Sequence, residues 1–137
     1  MEKLSVLDRI IRDAARFHGH MGPFLVLGVK AGLRAVETLG FNPFEMKAKI
    51  ITKKSTPYTC FADGVQFTTG CTLGKGNIEI VDGVGLKAVF SLRNRSVELT
   101  VKEEILREAE NSKEPLEKIS LKFMRMSLME LFEEKLI

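Results

Sequence analysis

Only four side chains in this 137-residue chain combine soft-metal affinity with nucleophilic or acid–base chemistry near neutral pH. They are His18, His20, Cys60 and Cys71. Both histidines fall in Phe17-His-Gly-His-Met-Gly-Pro-Phe24, and both cysteines fall between Thr56 and Gly76. Imidazole and thiolate together suit zinc or another late first-row metal. Two or three such ligands plus water make an open site rather than a closed structural one. The i, i+2 spacing of His18 and His20 would put them on different faces of a helix, but on one side of an extended or turning segment. Gly19 and Gly22 permit that turning backbone. Cys60 and Cys71 lie eleven apart, so neither a zinc knuckle nor a C-x-x-C redox pair is indicated. Cys60 is expected at the start of a helix, where a thiolate is stabilised. Asp63, one turn on, is placed either to orient a metal ligand from behind or to serve as a first-turn helix residue. Gly70-Cys-Thr-Leu-Gly-Lys-Gly76 resembles a phosphate loop only superficially. Gly76 follows Lys75 where that motif needs Ser or Thr, and a strand follows instead of a helix, so nucleotide hydrolysis is rejected.

These residues must be carried by a scaffold that the hydrophobic pattern outlines. Ser5 with Asp8 reads as a capping box for a helix to Phe17, with Val6, Leu7, Ile10, Ile11, Ala14 and Phe17 at helical spacing. Pro23 opens a second helix to Leu39, with Gly40 as its stop. Its first turns are apolar nearly all round, which predicts burial on most sides. Gly28 and Gly32, four apart, allow another element to approach closely. Met46 to Lys54 reads as a strand, with Ala48 and Ile50 inward and Lys47, Lys49, Ile51 and Lys53 outward. A short helix spans Cys60 to Thr69. Strands at 77–81, 86–92 and 97–101 are separated by Asp82-Gly83 and Asn94-Arg95, which predicts a three-stranded meander. A helix covers Glu103 to Asn111, and a last helix runs from Pro115 through Leu136. The order predicts an α+β fold, a mixed sheet with helices packed on it, in one domain over residues 1–137. Met124, Met126 and Met129 on the last helix suggest an interface and a homodimer.

Bulk properties exclude several classes. At 45% hydrophobic and 28% charged residues the chain builds a core and is expected to be soluble. No apolar run reaches membrane-spanning length and no signal peptide is evident, which predicts a cytoplasmic protein with reduced thiols and no membrane partner. Twenty-one basic and 18 acidic residues give a net charge of +3. That balance is mild and dispersed, and Trp is absent, so no nucleic-acid partner is expected.

The stretch Phe17–Phe24 and the stretch Asp63-Gly-Val-Gln-Phe-Thr-Thr-Gly-Cys-Thr-Leu-Gly-Lys-Gly76 resemble, in order and spacing, the two signature motifs of the FmdE family of formylmethanofuran dehydrogenase proteins. The resemblance implies a thioredoxin-like α+β core, often dimeric, with a site built from the His and Cys of these motifs and zinc in at least one member. It implies association with molybdenum or tungsten formylmethanofuran dehydrogenase, an enzyme of methanogenesis acting on one-carbon units. The chain is expected to be a short form without the C-terminal zinc finger of some members. His20 and Cys60 are the first-choice metal ligands, with His18 and Cys71 next, and His18, His20, Cys60 and Asp63 are the candidate catalytic residues. The leading expectation is a metal-binding accessory protein linked to a molybdenum or tungsten oxidoreductase. A stand-alone metal-dependent enzyme on a small anionic substrate, a metal carrier or regulatory module, and a metal-free interaction protein are the alternatives.

Overall fold

The computed structural model describes residues 5–137. Helix α1 (Val6–His18) starts on the expected capping box, with Ser5 accepting from the Asp8 backbone and Asp8 reaching back to Ser5. Gly19 ends it in the left-handed region at φ 117°, where a side chain would be strained. Helix α2 (Pro23–Leu39) follows, with Gly22 as N-cap and Pro23 in the first turn. Every residue from Pro23 to Val29 is buried, so α2 is the axis of the molecule.

Strand β1 (Lys47–Thr52) buries Ala48, Ile50 and Thr52 and exposes Lys47 and Lys49, the alternation its sequence predicts. Helix α3 (Cys60–Thr69) and a single 3₁₀ turn at Leu73–Lys75 lead to β2 (Ile78–Asp82). Strands β3 (Leu86–Leu92) and β4 (Arg95–Val101) come next, then α4 (Glu103–Asn111), α5 (Leu116–Arg125), α6 (Leu128–Leu131) and β5 (Phe132–Leu136). The sheet order is β2-β1-β3-β4-β5, with β1 and β2 parallel and the other pairs antiparallel. The fold is therefore α+β around a mixed sheet.

Two expectations fail. The strands β2, β3 and β4 do not form a meander, because β1 lies between β2 and β3. Turn residues at 82–85 mark a change of direction but do not say which strand becomes the neighbour. The last helix also stops early. Met126 is extended at ψ 149°, and Ser127 caps a new four-residue helix through a capping box with Glu130. The ammonium of Lys30, on α2, donates to the carbonyls of Phe123 (3.3 Å), Met124 (3.1 Å) and Met126, taking up acceptors at the end of α5. Burial lowers the Lys30 pKa, and the nearby Glu130 charge opposes that shift. Strand β5 then pairs with β4, Phe132 beside Val101 and Leu136 beside Val97. Of the three methionines, Met124 is buried inside the protein, Met126 is half-buried and Met129 is 70% exposed. Of the three, only Met124 serves internal packing outright.

The packing of α2 on α3 positions everything that follows. A Cβ on Gly28 would lie 2.0 Å from the Phe61 carbonyl oxygen, and one on Gly64 would lie 2.5 Å from both Leu25 O and Val29 N. A Cβ on Gly32 would fall 1.8 Å from Thr68 Oγ1. The two helices touch backbone to backbone, as the Gly28–Gly32 pair predicts from one side. Gly64 supplies the other.

Candidate functional site

That close contact brings the first turn of α3 against the α1–α2 junction. His18 is the last residue of α1, and Asp63 lies on the first turn of α3. The His18 Nδ1–H donates to Asp63 Oδ2 at 2.5 Å, and the His18 side chain is only 10% exposed. With a carboxylate as the partner, Nδ1 carries the proton and Nε2 is left free. The other carboxylate oxygen, Oδ1, accepts from Gln66 Nε2 at 3.3 Å. Gln66 is itself oriented, because its Oε1 accepts the Leu73 backbone N–H at 2.8 Å. Gln66 is not among the residues the sequence marks as functional, and the available signal is its place inside the Asp63–Gly76 motif, three residues after Asp63.

His20 sits beyond the Gly19 break, exposed, with its ring edge-on to that of His18 at 5.1 Å between centroids. Its Nδ1–H donates to the Met21 carbonyl at 3.0 Å. A Cβ at position 22 would lie 3.1 Å from His20 Cε1, so Gly22 leaves room for this ring. Both histidines are thus held through Nδ1 by an oxygen, and Nε2 of each has no hydrogen-bond partner among the described residues. Metal-binding histidines are characteristically held in this way.

Cys60 opens α3 and is half-buried. The helix start does not give the low thiol pKa expected of it. Burial pushes the Cys60 pKa up, and the Asp63 charge adds to that rise. Two cavities meet at this residue. One of 570 Å³ is lined by His18, Cys60, Asp63 and Gln66 on one side and by Ile78 and Ile80 on the other. A smaller one of 140 Å³ runs from His18, His20 and Cys60 to the start of α2 at Gly22 and Pro23. Cys71 belongs to neither. It is fully buried, its thiol faces the Met46 carbonyl at 3.4 Å, and burial raises its pKa. The turn after α3 carries Cys71, the expected fourth ligand, into the core beside Met46 and away from both cavities. The structure gathers His18, His20, Cys60 and Asp63 and leaves Cys71 apart.

Among the described residues no group of three or more His, Cys, Asp or Glu side chains forms a ready-made metal-holding set. The donor chemistry nevertheless fits a divalent late transition metal: two imidazoles with free Nε2 atoms and a thiol share one pair of cavities. Asp63 is engaged behind His18, which suits an orienting role.

The model of the FmdE family, described as the molybdenum formylmethanofuran dehydrogenase operon, matches residues 17–133. The chain belongs to the FmdE family. This span includes both motifs and the whole of the site. A probable S-adenosyl-L-methionine-binding protein of Archaeoglobus fulgidus is 37% identical over 93 residues, 66% of this chain, and the match spans 25% of that protein. The crystal structure of a tungsten formylmethanofuran dehydrogenase FmdE-like protein from Syntrophus aciditrophicus superposes with a TM-score of 0.68. The match covers all of this chain and 77% of that one at 18% identity, a likeness of fold. Among the described residues no helix is long and apolar enough to cross a membrane.

Proposed function

We propose that this FmdE-family protein is a metal-binding accessory protein functionally linked to a molybdenum or tungsten oxidoreductase of one-carbon metabolism. His18 and His20 would hold a divalent metal, zinc or a similar ion, through Nε2, with Cys60 as the thiolate ligand and Asp63 orienting His18. The observation that carries this reading is the Asp63–His18 contact at 2.5 Å, on a histidine whose side chain is 10% exposed and turned to leave Nε2 for another partner. When bound, such a metal supplies a Lewis acid for a carbonyl, a carboxylate or water. The raised Cys60 pKa sets a condition: the thiol must lose its proton as the metal binds, so affinity rises with pH. Most of the Archaeoglobus relative lies outside the match, so the ligand in its name does not carry over to this chain.

A second reading, a stand-alone metal-dependent enzyme, is favoured by the 570 Å³ cavity beside His18 and Cys60, large enough for a small-molecule substrate. The two readings share one test. Protein purified without oxygen should contain metal, and His20→Ala and Cys60→Ala should each lose most of it, a fall of about tenfold or more in affinity. Equal, near-zero metal in wild type and both variants would remove both readings. Metal that survives both substitutions would move the site elsewhere.

A further inference from the structure

The larger cavity has a wall that the metal reading does not use. Among the described residues, strand β2 is an edge strand and pairs only with β1. The phase of that parallel ladder is fixed at both ends, by Ala48 N–H on the Asn77 carbonyl (2.9 Å) and Gly83 N–H on the Thr52 carbonyl (3.0 Å). In a parallel pair, alternate residues of an edge strand turn both backbone groups inward or both outward. With Ala48 opposite Ile78 and Ile50 opposite Ile80, Glu79 and Val81 bond inward to β1. The N–H and C=O groups of Ile78 and Ile80 therefore point away from the sheet. None of these four groups has a protein hydrogen-bond partner among the described residues. Ile78 and Ile80 are also the residues of β2 that, with Glu79, line the cavity opposite Cys60 and Asp63.

An edge that offers two donors and two acceptors in register recognises another extended backbone. The outward residues are two apart, about 6.6 Å, which is the repeat of an extended peptide. Lys54 lines the same cavity, is exposed, and makes no ion pair among the described residues, so an anionic group can reach it. The space limits the size of the guest. With 570 Å³, and with Ile78 and Ile80 lining the cavity while the third outward residue, Asp82, lies beyond its lining, the space suits a few peptide units and not a long strand of a partner protein.

We propose that this cavity binds a short peptide-like ligand bearing a carboxylate, added in extended form to the free edge of β2 and presented to His18 and Cys60. The ligand class is a small molecule with secondary amides. This deepens the function proposed above by naming what the site receives. It rests on that reading for the chemistry but not for the binding.

The test uses metal-free, isotope-labelled full-length protein, so that its outcome is separate from the metal experiment. The probe is a pool of N-acetylated tripeptides with free C-terminal carboxylates, followed by amide NMR. Saturable shifts are expected at Ile78 and Ile80. N-methylating the peptide nitrogens should weaken binding about tenfold, the loss of about one ladder hydrogen bond. Ile80→Pro removes an outward N–H that the sheet does not use, so the fold persists and peptide shifts vanish. Lys54→Met should weaken binding severalfold. A pool that shifts neither amide overturns the proposal, as does binding indifferent to both N-methylation and Ile80→Pro. Concentration-dependent shifts at the same amides without peptide, with a doubled mass in light scattering, would assign the edge to a second copy and overturn it too.

Discussion

Adding one methyl group at Gly28 tests the link between helix packing and the site. Its Cβ would lie 2.0 Å from the Phe61 carbonyl oxygen, whereas ordinary contact begins at 3.4 Å, so α3 must retreat by about 1.4 Å, the difference of the two. The obstacle is backbone, with the Phe61 carbonyl carbon and Cα at 2.9 and 3.1 Å behind it, so no side chain can rotate away. Overpacking of this kind costs about 1–3 kcal/mol. The gain in helix propensity from Gly to Ala is about 1 kcal/mol in the other direction. A clash against backbone in the buried first half of α2 should lie at the upper end, leaving a net loss of about 2 kcal/mol. For a chain of this size that is a fall of roughly 6–10 °C in Tm. The same retreat would stretch the 2.5 Å His18–Asp63 contact beyond hydrogen-bond length if it fell along that line. Urea and thermal denaturation read the first effect, and the His18 ring nitrogen shifts read the second. Gly74→Ala, where a Cβ meets nothing within 4 Å, is the control and should leave both unchanged. A Gly28→Ala protein as stable as wild type, or more so, would refute the reasoning, because propensity alone would then decide the outcome.

Other perturbations probe the scaffold. Lys30→Met removes the donor to the Phe123, Met124 and Met126 carbonyls and should cost about 2 kcal/mol in urea denaturation. Arg34 bonds Glu134 through Nε at 2.5 Å and Nη2 at 2.8 Å, and that hydrogen bonding holds the Glu134 pKa below the usual carboxylate range. A depressed folded-state pKa gives stability that is present above the unfolded value, about 4.3, and is lost as pH falls through the folded one. Glu134→Gln should therefore lower Tm at neutral pH and flatten its fall as pH drops below about 5, as calorimetry at several pH values would show. The Thr52 hydroxyl is buried with no hydrogen-bond partner among the described residues, so Thr52→Val should be neutral or stabilising by up to about 1 kcal/mol. A loss of more than that in denaturation would mean the hydroxyl has a partner in solution.

Much of the site was legible because its parts are rare residues in local motifs. Two histidines around Gly19 and a cysteine at the start of a helix need only composition and spacing to be noticed. The capping box at Ser5, the Pro23 start, the Gly40 stop and the Gly28–Gly32 face are likewise written within a few residues of where they act. The second capping box, Ser127 to Glu130, was equally readable, but a continuous helical stripe hid it.

What the sequence by itself determined is the set of local elements and the chemistry available to them. Propensity, caps and period-two or period-3.6 burial act within one turn or one strand, so they can be read along the chain. Only the tertiary structure decided which elements became neighbours. The backbone contact of α2 with α3 put Asp63 behind His18, gave Gln66 its role and raised the Cys60 pKa by burial. The insertion of β1 between β2 and β3 replaced the meander and left the outer groups of Ile78 and Ile80 unpaired beside the site. Burial carried Cys71, the second-choice cysteine of the sequence, into the core although it lies in a glycine-rich motif loop. Each of these depends on groups distant in the chain meeting at a few ångströms, a quantity that no local pattern encodes.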